Sequence, residues 1–174
     1  TNNNNYFATS PSITVTVNSI PTSPTITSKN PTTFCQGGVD TLLSSASSGN
    51  QWYLNGTAIS GATGTSYLAT GAGNYTVVAS NGNCSSTASP ATVITVNQSP
   101  ATPTITANGS TSICSGSSVT LTSSISSGNQ WYLNSSPITG ATNSSYIANA
   151  NGNYTVIVTG SNGCNSIASS ATLV

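Results

Sequence analysis

Apolar and polar residues alternate with a period of two through most of the β-branched segments of this chain. In QWYLN, residues 51–55, Trp52 and Leu54 share one face of an extended strand and Tyr53 occupies the other. Asn-Gly pairs and glycine-rich turns separate these segments, and no segment shows a helical period. The pattern therefore predicts an antiparallel β-sandwich with strands at 25–27, around Leu42, and at 51–55, 65–69, 74–80 and 91–97.

The same alternation predicts which aromatic residues face inward. Trp52 and Tyr75 are expected in the core of one sandwich, and Trp131 and Tyr154 in the core of a second. A Trp on the third strand that faces Val and Leu across two sheets is typical of an immunoglobulin-like fold. We therefore interpret both tryptophans as core residues and not as platforms for ligand stacking.

A long internal repeat divides the chain. The segment SGNQWYLNGTAISGATGTSYLA, residues 48–69, recurs as SGNQWYLNSSPITGATNSSYIA, residues 127–148, at a spacing of 79. This predicts immunoglobulin-like repeat 1 at 19–97 and repeat 2 at 98–174, the latter with a truncated last strand. Proline-containing segments between the repeats favour a stiff connection, so the expected architecture is a rod of tandem sandwiches.

The two ends of the chain extend the pattern. Residues 10–18, SPSITVTVN, match residues 89–97, SPATVITVN, so residues 1–18 are interpreted as the terminal strand of a preceding repeat or as a donor strand. ATLV, residues 171–174, stops where the matching strand continues with TVN. Three explanations stay open: a piece of a longer array, donation of the N-terminal strand to a neighbouring subunit, or an autonomous two-domain piece.

Composition excludes most chemistry. Ser, Thr and Asn fill 83 of the 174 positions, and the chain has one Lys, one Asp, and no His, Glu or Arg. Carboxylate pairs, acid–base histidines, zinc or calcium ligand sets and basic nucleic-acid surfaces cannot be assembled from these residues. We therefore expect no enzymatic activity, cofactor, metal or nucleic-acid partner. No apolar run approaches the length of a membrane span.

The two units resemble a known family. The motifs GxxVxL, QWYLNGxxIxGATxxxY and GxYTVxVxxxNGC are similar to the immunoglobulin-like repeats of Bacteroidetes surface proteins. Such repeats occur in large adhesins, including gliding-motility adhesins, that are exported by the type IX secretion system. The resemblance covers both units and implies a cell-surface or secreted repeat protein, without implying a particular ligand. Gly73-x-Tyr75 and Gly152-x-Tyr154 keep the tyrosine corner of antibody domains, whose core cysteine is here Val.

Each repeat carries two cysteines in matching positions. This favours disulfides within the repeats, Cys35 with Cys84 and Cys114 with Cys164, at one end of each sandwich. Free thiols or metal ligation are the alternatives, although two Cys without His are too few for a closed zinc site. Disulfides would place the chain in an oxidising compartment.

Three further sets of residues are candidates for special roles. Asp40-Thr41-Leu42 resembles the O-glycosylation motif of Bacteroidetes, which makes Thr41 a candidate glycosylation site. Lys29 and Asp40 are expected to be an exposed, solvated pair rather than part of an isopeptide crosslink. Tyr53 and Tyr132 are predicted to face outward, where they would contact surface glycans or cover a sheet edge or a neighbouring domain.

The sequence thus predicts a non-enzymatic, extracellular structural or adhesive module of a bacterial surface adhesin or filament, polymerised by strand donation in one version of the hypothesis. Its expected partners are neighbouring copies or repeats, and surface glycans. The alternative is a carbohydrate-binding or spacer module of a secreted multidomain enzyme.

Overall fold

A computed structural model describes residues 11–174 and shows an all-β protein. Residues 1–10, the larger part of the predicted terminal strand at 1–18, lie outside the described residues. No helix in the described part of the chain is long and apolar enough to cross a membrane. The strands are β1 (Ile26–Ser28), β2 (Thr33–Cys35), β3 (Asp40–Ser44), β4 (Asn50–Leu54), β5 (Thr57–Ala58), β6 (Ser66–Ala69), β7 (Gly73–Ala79), β8 (Thr92–Asn97), β9 (Ile105–Ala107), β10 (Val119–Ser123), β11 (Asn129–Leu133), β12 (Ser136–Pro137), β13 (Ser145–Ala148), β14 (Asn153–Val158) and β15 (Thr172–Leu173).

The strands belong to four sheets. Their orders are β1-β3-β6, β2-β8-β7-β4-β5, β13-β10-β9 and β12-β11-β14-β15. All pairs with a resolved register are antiparallel except β2 with β8, which run parallel with Cys35 opposite Asn97.

The chain folds as two compact units. Unit 1 comprises the described residues up to Thr27 together with Leu42–Tyr67 and Asn74–Thr92. Unit 2 comprises Ser28–Thr41, Leu68–Gly73 and Val93–Val174. Sequence repeat 2, residues 98–174, therefore lies entirely in unit 2.

Repeat 2 is a sandwich of two sheets. Strands β9, β10 and β13 form one sheet, and β11, β12, β14 and β15 form the other. This division places the first, second and fifth strands opposite the third, fourth, sixth and seventh, as in immunoglobulin-type sandwiches. Side chains from both sheets meet in one core, namely Val119, Leu121, Trp131, Ala148, Tyr154, Val156 and Val174.

Trp131 and Tyr154 anchor that core. Both side chains are fully buried, and Tyr146 stacks between them with ring centroids 6.0 and 5.8 Å away. The indole N–H of Trp131 donates a hydrogen bond to the carbonyl of Asn143, 2.9 Å away. The phenol of Tyr154 donates to the carbonyl of Ala150, which is the hydrogen bond of a tyrosine corner. Burial raises the pKa of this phenol above its ordinary value, although the bond to Ala150 acts in the opposite direction.

Unit 1 contains the corresponding aromatic stack. Trp52 and Tyr75 are buried, and Tyr67 lies between them with ring centroids 5.9 and 5.7 Å away. The indole N–H of Trp52 donates to the carbonyl of Gly64 at 3.0 Å. All four aromatic residues that the alternation assigned to the interior are therefore buried.

Two features of the predicted strand pattern differ from the structure. The short strand β2 was not expected, because TFC is too short to show alternation and owes its conformation to parallel pairing with β8. The hairpin return strands β5 and β12 contain two residues each and were likewise missed. The Asn55-Gly56 hairpin is confirmed: both residues have positive φ, 50° and 80°, as a type I′ turn requires.

Candidate functional site

One disulfide joins the two sequence repeats. Cys35, on β2 of repeat 1, is bonded to Cys164 of repeat 2, with their Cα atoms 5.6 Å apart. Cys84 and Cys114 are free thiols, half-exposed and exposed respectively. The predicted pairing within each repeat, Cys35 with Cys84 and Cys114 with Cys164, is therefore wrong.

The physical reason for the different pairing lies in the parallel strand pair of unit 2. Because β2 runs beside the end of β8, Cys35 lies opposite Asn97, the last residue of β8. The main-chain N–H of Gln36 donates to the carbonyl of Asn97, at 2.9 Å. The Sγ atom of Cys164 lies 4.0 Å from that same carbonyl oxygen. Both sulfur-bearing residues thus converge on the end of one strand.

An Asn turn fixes the position of Cys164. The side-chain oxygen of Asn162 accepts a hydrogen bond from the main-chain N–H of Cys164, at 3.1 Å. The side-chain amide of the same residue donates to the carbonyl of Gln98, at 2.9 Å. The turn therefore holds the cysteine against the residues that follow β8.

The same arrangement recurs around Cys84 within unit 1. The side-chain oxygen of Asn81 accepts from the N–H of Cys84, at 2.9 Å, and its amide donates to the carbonyl of Ser19, at 2.8 Å. The Sγ atom of Cys84 lies 3.8 Å from the carbonyl oxygen of Asn18. Asn18 and Ser19 precede Asn97 and Gln98 by the repeat spacing of 79. The turn at Cys84 therefore contacts the segment that is homologous to the end of β8.

That homologous segment, residues 11–18, is exposed and belongs to no strand. Its apolar residues Ile13, Val15 and Val17 are 87%, 80% and 89% exposed. By the repeat spacing Val15 corresponds to Ile94, which is only 2% exposed on β8. Residues 11–18, called the donor segment below, thus have the sequence of a sandwich strand without the burial of one.

Beside Cys114, repeat 2 has an open cavity of about 560 Å³. Residues 111–115, which correspond to β2 and its flanks, form one wall, and Leu173 and Val174 form part of another. None of residues 111–115 belongs to a strand. We call this surface the acceptor cleft. In repeat 1 the corresponding residues of β2 pair with Thr95–Asn97 of β8.

The two charged residues do not form the solvated pair that was expected. Lys29 is exposed, but Asp40 is completely buried, so that expectation is wrong for Asp40. The carboxylate of Asp40 accepts hydrogen bonds from the hydroxyl of Ser28 and from the main-chain N–H of Asn30. These bonds compensate the loss of hydration and link the start of β3 to the end of β1 and the loop that follows it.

The remaining candidate residues lie apart from the cysteines. Thr41 is half-buried on β3, and its carbonyl accepts the N–H of Lys29. Tyr53 is half-buried on β4 between Ala58 and Thr76, and Tyr132 occupies the matching position on β11. Glycosylation of Thr41 and glycan contact by the two tyrosines stay predictions.

The site was missed from the sequence because two pairings fit the repeat equally well. A repeat with two cysteines permits bonds within each copy or bonds from one copy to the next. Bonds from one copy to the next leave Cys84 and Cys114 without a disulfide partner in the chain, whereas bonds within each copy leave no cysteine unpaired. Four cysteines alone do not reveal which pattern applies. Within residues 11–174, no cluster of His, Cys, Asp and Glu has the composition to hold a metal ion.

Comparisons with known proteins give only distant structural similarity. No family model matches the chain, and no curated protein does. The human OSCAR ligand-binding domain is 13% identical with a TM-score of 0.38, over 88% of this chain and 98% of that one. A chain in the crystal structure of the mouse coronavirus receptor-binding domain complexed with its murine receptor is 18% identical with a TM-score of 0.43, over 87% and 98%. With both TM-scores under 0.5, these similarities carry no argument about function.

Proposed function

We propose that this chain is a non-enzymatic, extracellular structural and adhesive module whose copies associate by strand donation. The donor segment of one copy would enter the acceptor cleft of another. One observation carries the proposal: Val17 is 89% exposed although its counterpart in the same chain, Val96, is half-buried opposite Phe34 of β2.

The identity of the residues supports the fit of segment to cleft. Thr16-Val17-Asn18 has the same sequence as Thr95-Val96-Asn97, the part of β8 that pairs with β2. The acceptor cleft is bordered by the residues of repeat 2 that correspond to β2. Addition of an extended segment at such a place supplies main-chain hydrogen bonds and buries alternate side chains.

Other observations support the proposed location and class of the protein. The Cys35–Cys164 disulfide is consistent with an extracellular or otherwise oxidising location. The resemblance to Bacteroidetes adhesin repeats supports a place on a bacterial surface, or in a surface filament, reached by type IX secretion. The residue composition supports a binding or structural role, because no residue set for acid–base or metal catalysis is present in the sequence.

The experiment tests association with charge substitutions in the donor segment. Cys84 and Cys114 are first replaced by Ser, so that only non-covalent association is measured. We expect Val17→Asp to weaken association about tenfold or more, because a charge would enter a half-buried apolar site. Sedimentation velocity over a range of concentrations provides the measurement.

Thr16→Asp is the matched control. It adds the same charge to the neighbouring position, whose counterpart Thr95 is exposed, so association should change less than about threefold. Equal association of the Val17→Asp variant and its parent would refute strand donation. A parent that stays monomeric at millimolar concentration would refute it as well.

A further inference from the structure

We propose that Cys84 of one copy and Cys114 of a second copy form a disulfide that covalently joins the copies head to tail. The inference rests on the proposed strand donation and adds to it a covalent bond at a defined pair of residues. The Cys35–Cys164 bond inside the chain is the template for this junction.

Each free thiol corresponds to one half of that template. Cys114 follows Cys35 by the repeat spacing of 79, and Cys84 precedes Cys164 by 80 residues, with one residue inserted in the turn. One copy of the chain therefore carries both halves of a second bond. Neither half has a disulfide partner among residues 11–174.

The contacts of Cys84 explain how it would reach its partner. Its turn already holds the end of the donor segment, because Asn81 binds the carbonyl of Ser19 and the sulfur lies 3.8 Å from the carbonyl oxygen of Asn18. The thiol and the donor segment are thus presented together, as Cys164 is presented with the end of β8.

The register of β2 and β8 defines where the second thiol would lie. In unit 2, Cys35 is opposite Asn97, and Cys164 approaches the carbonyl of Asn97 from its own turn. If Asn18 of one copy takes the equivalent place opposite Cys114 of another, Cys84 arrives beside Cys114. The exposure of Cys114 leaves its thiol accessible for the reaction.

Bond formation requires an oxidant. A low-molecular-weight disulfide such as oxidised glutathione accepts the two electrons: one thiolate attacks it and releases one thiol, and the second thiolate then displaces the other. The net change is one new protein disulfide, one consumed small disulfide and two released small thiols. Because the two cysteines lie on different surfaces, the contact is heterologous and successive copies extend an open polymer.

The test uses two single variants that each keep one half of the junction. Cys84→Ser retains Cys114, and Cys114→Ser, produced with ¹⁵N so that its mass differs, retains Cys84. The variants are incubated alone and together in a glutathione redox buffer, and the products are separated by non-reducing SDS electrophoresis and mass spectrometry. Unsubstituted protein is treated in parallel.

We expect a ladder of covalent oligomers from the unsubstituted protein and a mixed dimer from the two variants together. The mixed dimer should exceed either homodimer at least about tenfold, and its linked peptides should contain Cys84 and Cys114. Adding Val17→Asp to the Cys114→Ser variant should reduce the mixed dimer, because that copy supplies the donor segment.

Two results would overturn the inference. One is a yield of homodimers equal to that of the mixed dimer, which would indicate unspecific oxidation. The other is an absence of mixed dimer although the variant with both serines still associates, which would leave strand donation intact. If neither association nor linkage occurs, the proposed function and this inference fail together. Mass spectrometry of the Cys35–Cys164 peptide pair verifies that both variants have folded.

Discussion

Asp40 shows how one residue is adapted to its repeat. Its buried carboxylate is held by Ser28 and by the main chain of Asn30. In repeat 2 the corresponding buried residue is Val119. In repeat 2, Ala107 takes the place of Ser28 and Gly109 takes the place of Asn30.

The three replacements in repeat 2, Ala107, Gly109 and Val119, are consistent with one another. Ala107 has no hydroxyl to satisfy, and Gly109 adopts a φ of 135°, which the L-residue Asn30 does not adopt in repeat 1. The loop of repeat 2 therefore has a different backbone, in which an apolar Val119 side chain packs near Gly109. A polar and an apolar solution to the same loop thus coexist in one chain.

We predict that Asp40→Val lowers the free energy of unfolding by about 2 kcal/mol, because two donors lose their acceptor. Changing Ser28 to Ala and Asn30 to Gly in the same protein should restore at least half of the loss. Asp40→Asn is the control, since its amide oxygen still accepts one bond and the loss should be smaller. Urea unfolding provides the measurement, and an Asp40→Val protein as stable as its parent would contradict this interpretation of the buried charge.

The burial of Asp40 was beyond prediction from the sequence for a specific reason. A lone Asp beside polar residues gives the same sequence pattern whether its carboxylate is solvated or is buried and hydrogen-bonded. The two donors, on Ser28 and Asn30, lie 12 and 10 residues before Asp40, so no local pattern reveals them. The buried aromatic residues were predictable because alternation alone places Trp52 and Tyr75 on inward faces.

At the scale of the elements, the pairing of β11 with β14 depends on a close approach of the main chain. The carbonyl of Gly128 accepts the N–H of Thr159 at 2.8 Å just beyond the ends of these strands. A Cβ atom at Gly128 would lie 2.3 Å from the carbonyl oxygen of Thr159, and its φ is +76°. Gly49 has the equivalent approach to Ser80 in unit 1, so both repeats contain the feature.

We predict that Gly128→Ala lowers the free energy of unfolding by about 3 kcal/mol or more. The left-handed backbone accounts for about 1–2 kcal/mol, and the clash with the main chain adds the remainder. Gly140→Ala is a matched control: its φ is also +76°, but a Cβ there meets nothing within 4 Å, so only the backbone strain of about 1–2 kcal/mol applies. Equal losses for the two variants in urea unfolding would show that the close approach is unimportant.

Which strands were predictable depends on whether their conformation is local. Strands β4, β6, β7 and β8 agree with the predicted segments to within one or two residues, because alternation and turn residues define them. The short strands β2, β5 and β12 exist only through pairing with a neighbour. A sequence of two or three residues carries no periodicity, so these elements require tertiary information.

At the scale of the whole molecule, one relation describes the observed disulfide and the proposed one. The disulfide runs from repeat 1 to repeat 2, and not within either repeat. Shifted by one repeat, the same relation would pair Cys84 of one copy with Cys114 of the copy that precedes it. The internal bond and the proposed junction would then share one geometry.

The composition is compatible with such assembly. With a single Lys and a single Asp, the chain has a formal net charge of zero, so little electrostatic repulsion opposes contact between copies. The apolar residues of the donor segment add surface that is favourable to bury.

Hydrogen exchange of the donor segment tests the central claim most directly. In repeat 1 the N–H of Thr95 donates to the carbonyl of Thr32 at 2.8 Å, and by the repeat spacing the N–H of Thr16 would donate to Thr111 of another copy. We predict that amides of residues 16–18 exchange at least about tenfold more slowly in assembled than in dilute material, because they become part of a ladder. Assembled protein whose donor segment exchanges as fast as it does in the dilute protein would contradict strand donation.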